Sequence, residues 1–111
     1  MHHVRLQKLL DFLKNEPEDP FLKYALATEY FNVNDHEKAL FYFEDLITNH
    51  PDYVGTYYHL GKLYEIIGRK PDALDIYKKG MEVARRKGDM HAFSELQTVF
   101  NSANGLDYED D

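Results

Sequence analysis

The chain of 111 residues contains no cysteine, which removes disulfides and thiolate chemistry at once. No apolar run approaches the ~20 residues of a membrane span. The opening MHHVRLQKLL lacks the hydrophobic stretch and small-residue cleavage site of a signal peptide. The expectation is a soluble, cytoplasmic protein with no membrane contact. Surplus cations are missing too. At a net charge of −7 the chain is short of the positive surface that phosphate backbones require, which argues against a nucleic-acid partner. There is no glycine-rich phosphate loop and no G-x-S-x-G. Six histidines are present, yet none forms the i,i+4 pair flanking a carboxylate that a helical zinc site uses. Neither a metal nor a cofactor is expected, and the adjacent His2 and His3 suit at most weak adventitious metal binding.

What the chain has in quantity is aromatic residues, nine Tyr and seven Phe, in a length that suits one domain. They fall into a helical order most plainly between Tyr57 and Tyr77. Tyr57, Leu60, Tyr64 and Ile67 lie three or four apart and so share one helical face, while Gly61 offers a surface with no side chain for close packing. Gly68 suits a helix C-terminus and Pro71 a first helical turn. Ala73, Tyr77 and Gly80 then continue at helical spacing. This is the pattern of a helical hairpin.

The same grammar runs through the rest. Leu6, Leu9, Leu10 and Leu13 form one side of an amphipathic helix that the pair Glu16-Pro17 ends. Asp19-Pro20 reads as an N-cap followed by a first-turn proline, opening a helix with Phe21, Tyr24, Leu26, Ala27, Tyr30 and Phe31. Asn34 is able to turn left-handed, and Asp35 caps a helix whose Ala39, Leu40, Phe43, Leu46 and Ile47 face inward. Gly88-Asp89 divides the fifth helix from the sixth.

An offset of 34 pairs Pro17 with Pro51, Leu26 with Leu60, Ala27 with Gly61, Tyr30 with Tyr64, Asn34 with Gly68, Ala39 with Ala73 and Phe43 with Tyr77. These residues resemble the tetratricopeptide repeat, a 34-residue unit of pattern W-x2-L-G-x2-Y followed by a small turn residue, Ala, an aromatic, Ala and Pro. The chain departs from it at Lys23, where the family has a large aromatic, at Leu46 and Gly80 in place of the second-helix alanine, and at Arg85 in place of the proline. Gly80 should cost ~1 kcal/mol relative to Ala inside a helix. Arg85 lets its helix run on, and the last helix fits an offset of 36, where Phe93, Leu96, Phe100 and Asn104 answer Tyr57, Leu60, Tyr64 and Gly68. The resemblance implies an all-α, right-handed α-solenoid of six helices in a single domain over residues 1–106. Its parts are a half repeat (3–16), repeats 18–51 and 52–88, a terminal half repeat (89–104) and an acidic tail (107–111).

In such stacks the first helix of each repeat lines a concave groove. Family resemblance places Phe21, Tyr24, Thr28, Phe31 and Asn32 there in the first repeat, and Gly55, Tyr58, Lys62, Glu65 and Ile66 in the second. The terminal helix supplies His91, Ser94, Thr98, Asn101 and Ser102. Tyr24, Thr28, Phe31, Asn32, Tyr58, Lys62, Glu65, Ser94 and Thr98 are the candidate peptide-binding residues. Ile66 is expected to complete the core, whereas Phe21 and Phe31 suit core and groove equally. The carboxylate clamp of the family's co-chaperones has no match, because Tyr24, Thr28, His59, His91 and Glu95 occupy its positions. Tyr58, His59, Lys62 and Glu65 are titratable neighbours, but without a pocket they do not make an active site. The expected function is a non-catalytic module that binds a peptide or flexible segment of a partner protein. The alternative is weak self-association through the groove or the repeat ends. Residues 62–88 hold eight Lys/Arg against four Asp/Glu and the remainder five against 16, a segregation that suits either solvated surface or docking between molecules.

Overall fold

Breaks in the apolar periodicity become helix boundaries in the computed structural model, which describes residues 2–105. The acidic tail at 107–111 lies outside the described residues, as do the side chains of His2 and His3. The helices are α1 (His2–Asn15), α2 (Pro20–Asn32), α3 (His36–Asn49), α4 (Gly55–Ile66), α5 (Lys70–Lys87) and α6 (Met90–Ala103), with no strand among the described residues. The fold is an all-α helical repeat.

Three aspartates start helices as their sequence positions require. The Asp19 carboxylate accepts from the Phe21 and Leu22 backbone N–H groups at 2.9 and 3.4 Å. Asp35 accepts from Lys38 at 3.3 Å and Asp89 from Ala92 at 3.1 Å, so each satisfies N–H groups that a helix leaves without partners. Asn34 (φ 64°) and Gly68 (φ 81°) take the left-handed conformation that ends α2 and α4. After α6 that role falls to Gly105 (φ 78°), not to Asn104, whose φ is −85°. The offset of 36 therefore holds in the helix but grows by one at its end.

Contacts divide the chain into two units, residues 1–53 and 54–111. In the first, α2 pairs with α3, and α1 lies against α2. Its core is built from Leu26, Ala27, Ala39, Phe43 and Leu46, with Leu9 from α1; Leu40 and Ile47 are half-buried. In the second unit α4 pairs with α5, and α6 packs on both, enclosing Leu60, Leu63, Ala73, Tyr77, Ala84 and Leu96. The burial of Leu96 and the exposure of His91, Ser94, Glu95 and Thr98 fit the shifted register of the last helix.

Missing side chains set the separation of the helices in this second unit. A Cβ on Gly61 would stand 2.0 Å from Cε1 of Tyr77, so the phenol ring of α5 lies directly on the α4 backbone. A Cβ on Gly80 would stand 2.5 Å from Cβ of Tyr57 and 3.0 Å from Cδ1 of Leu96. The expectation that Gly80 merely weakens its helix is therefore incomplete. Gly80→Ala gains ~1 kcal/mol of helix propensity but incurs about 1–3 kcal/mol of overpacking. We expect urea denaturation to register a net loss of about 1 kcal/mol, and a higher midpoint would show that Tyr57 and Leu96 give way freely.

Candidate functional site

Burial covers α2 around most of its circumference, through Leu22, Lys23, Ala25, Leu26, Ala27, Glu29 and Tyr30. What remains is a strip of Phe21, Tyr24, Thr28, Phe31 and Asn32, spaced as one helical face. Phe21 is 60% exposed, Asn32 is exposed, and Tyr24, Thr28 and Phe31 are half-buried. The Tyr24 ring stands edge-on to Phe43, with centroids 6.5 Å apart, and tilts against Tyr53 at 5.3 Å. Phe31 meets Phe43 edge to face at 6.5 Å. Burial, with Tyr53 alongside, holds the Tyr24 phenol above the usual tyrosine value and keeps it a neutral donor at neutral pH. The Thr28 hydroxyl donates to the Ala25 carbonyl at 3.0 Å, which leaves its lone pairs for a ligand.

Tyr53 was not distinguishable from its sequence position, which falls in the turn between hairpins. It also lines a shallow cavity of about 410 Å³ with Pro20, Asn49, His50, Pro51 and Asp52. Two buried charges on α2 have a structural explanation. Lys23, 3% exposed, stands where the repeat expects an aromatic. Its Nζ lies 3.0 Å from Glu18 Oε1 and 3.1 Å from Asp45 Oδ2. Burial pulls the ammonium's pKa down, but the hydrogen bonds and charges of Glu18 and Asp45 outweigh it and leave the value raised. Glu29 is held by Arg5 of α1 at 2.8 Å.

In the second unit α4 buries Thr56, Tyr57, Leu60, Gly61, Leu63 and Tyr64. The less covered strip carries Gly55, Tyr58, His59, Lys62, Glu65 and Ile66. Ile66 is 53% exposed, so it does not complete the core as its hydrophobicity suggests. It is the last residue of α4 and lies on the same less covered face as His59 and Lys62. Glu65 accepts from the Tyr77 hydroxyl at 2.6 Å. Burial, reinforced by Glu65, pushes that phenol far above the ordinary tyrosine value, so it stays protonated and anchors the carboxylate. On neighbouring α6, the Thr98 hydroxyl donates to the Ser94 carbonyl at 3.0 Å, and His91 lies 3.4 Å from Glu95.

His59 lies between Tyr58 and Lys62 and connects the two helices electrostatically. Its ring meets Tyr58 edge to face at 5.6 Å, and Nδ1 is 3.3 Å from the Gly55 carbonyl, the geometry of an Nδ1–H donor. Burial lowers its pKa below 6.5, more than the Gly55 hydrogen bond and the charge of Glu95 raise it. A histidine that protonates less readily folded than unfolded destabilises the fold as pH falls through 6.5 toward its folded value. We expect denaturant unfolding to show stability decreasing over that window, and His59→Gln to flatten this part of the profile. An unchanged profile in the variant would remove His59 as its source.

The structure thus gathers Tyr24 and Phe31 with Phe43 and Tyr53 in one unit. In the other it gathers Tyr58, Lys62 and Glu65 on one strip with His59, beside the helix that bears Ser94 and Thr98. Among the described residues no group of His, Asp and Glu could hold a metal ion, and no helix is long and apolar enough to cross a membrane.

A sequence profile of the tetratricopeptide repeat matches residues 22–53 and 54–87. The solution structure of a tetratricopeptide repeat domain protein from Salinibacter ruber is 52% identical, with a TM-score of 0.77 over 84% of this chain and 94% of that one. A crystal structure of a tetratricopeptide repeat domain protein from the same organism is 53% identical, with a TM-score of 0.77 over 80% of this chain and 99% of that one. A protein from Bordetella parapertussis shares the fold at 22% identity, with a TM-score of 0.79 over 92% and 89% of the two chains. A search of the curated proteins finds no match.

Proposed function

The chain belongs to the tetratricopeptide repeat family, and from that premise we propose that it is a non-catalytic module that binds a peptide or flexible segment of a partner protein along the first helices of its repeats. Repeats of this family are generally protein-interaction modules and non-catalytic scaffolds. The repeat boundaries proposed for it are a half repeat at 3–16, repeats at 18–51 and 52–88 and a half repeat at 89–104. A cytoplasmic site of action accompanies this reading.

The observation that carries it is the placement of large apolar groups in water. Phe21 and Ile66, 60% and 53% exposed, lie on the strips of α2 and α4 that internal packing leaves uncovered. Such groups beside Tyr24, Tyr58 and Lys62 supply apolar contact together with a few orienting polar atoms. Affinity capture with the native chain and with a Tyr24→Ala, Tyr58→Ala, Lys62→Ala variant provides the test. Partners captured by the native chain should be lost from a variant whose circular dichroism and melting remain cooperative. If a folded variant retains them unchanged, these strips are not the binding surface.

A further inference from the structure

We infer that the cavity beside the α2 strip takes an arginine side chain of the partner segment. This rests on the peptide-binding reading and names the chemistry that it selects. Pro20, Pro51 and Tyr53 wall a cavity of about 410 Å³ together with Asn49, His50 and Asp52. Tyr53 joins it to the strip, because its ring tilts against Tyr24 with centroids 5.3 Å apart. Phe21, 60% exposed, follows Pro20 directly. Aromatic and proline rings are surfaces on which a flat guanidinium and its methylene stem lie well.

Charge decides what fills it. Two turns meet here, residues 16–19 before α2 and residues 50–53 after α3, with His50 Nε2 3.9 Å from Glu18 Oε1. Together they carry Glu16, Glu18, Asp19 and Asp52 and no Lys or Arg. The ammonium paired with them, Lys23, is shared between Glu18 and Asp45. Asp19 is engaged by neutral backbone N–H groups, and the exposed Glu16 side chain has no partner among the described residues. Negative charge is therefore left over. The Tyr53 hydroxyl also has no hydrogen-bond partner among the described residues, and burial with the charge of Asp19 keeps it protonated. A guanidinium brings five donors to such a set of acceptors, an ammonium three. At the offset of 34, Pro51, Asp52 and Tyr53 are answered by Arg85, Arg86 and Lys87. The preference for a cation thus belongs to the first repeat.

An amide NMR titration of the full chain with the blocked peptide Gly-Ser-Arg-Leu-Ser-Leu-Gly tests this, beside versions with Gln or Glu in place of Arg. We expect the Arg peptide to shift the amides of Phe21, Tyr24, His50 and Tyr53 at about fivefold lower concentration than the Gln peptide. The Glu peptide should bind more weakly still. Tyr53→Leu and Glu16→Gln/Asp52→Asn, each still melting cooperatively, should remove most of that preference, and rising salt should erode it. Should Tyr53→Leu not fold, the charge variant decides alone. Equal binding of the Arg and Gln peptides overturns the inference, while shifts at Phe21 and Tyr24 would still keep the strip as a binding surface. An Arg preference that persists in the folded variants, or shifts centred outside the strip and the two turns, overturns it as well. An Arg preference at His50 and Tyr53 with Phe21 and Tyr24 unmoved supports the cavity and removes the strip. If no peptide moves either set at millimolar concentration, both readings fall.

Discussion

Gly61→Ala is expected to destabilise the chain by about 3 kcal/mol, the upper end of what overpacking commonly costs. The closeness of ring to backbone explains why a single methyl matters so much. At 2.0, 2.5 and 2.6 Å, the nearest atoms to an added Cβ are all in the Tyr77 ring, a fully buried side chain. Relief requires the ring to retreat by more than an ångström into an interior already packed like an organic crystal, and retreat would also strain the 2.6 Å hydrogen bond to Glu65. Helix propensity favours Ala by ~1 kcal/mol and does not offset this. A double-mutant cycle isolates the contact. Tyr77→Ala alone should cost about 3–5 kcal/mol through lost burial and a cavity, but in that background Gly61→Ala should cost little or be favourable. Urea denaturation supplies all four stabilities. A loss from Gly61→Ala that persists undiminished without the ring would show that its origin lies elsewhere on α4.

Much of the fold was legible because the relevant signals are local. Gly68, Asn34, Asp19, Asp35 and Asp89 act on backbone groups within four residues, and the sequence offset brought Gly61 and Tyr77 into the small-and-aromatic pattern of one repeat. The candidate binding residues were legible as positions on a strip, but not as contacts. Nothing in the neighbourhood of Glu65 predicts its bond to Tyr77, twelve residues away, and nothing near Tyr24 announces Tyr53 as its ring partner. Ile66 misled for a related reason, since hydrophobicity favours burial while position in the helix decides whether a neighbour is present to provide it. Lys23 was visible only as a departure from the repeat, because its explanation requires Asp45 on another helix.

That departure leads to an asymmetric pair of outcomes. Asp45→Ala should cost about 2 kcal/mol, below the ~3–5 kcal/mol typical of breaking a fully buried ion pair. The reduction reflects the remaining partner, because Glu18 is 77% exposed along its side chain and its attraction to Lys23 is screened by water. It also reflects Asp45 itself, which is 23% exposed. Lys23→Met should be close to neutral or stabilising. An apolar chain of similar length fills the aromatic position of the repeat and removes the desolvation of an ammonium, leaving Asp45 with water and the Asn49 amide that already donates to it. In the Lys23→Met background, Asp45→Ala should then lose most of its effect. Chemical denaturation of the two single variants and the double variant decides the matter. A loss on Lys23→Met as large as that on Asp45→Ala would mean that the charge pair outweighs its desolvation, and that lysine stabilises this position better than a hydrophobic side chain.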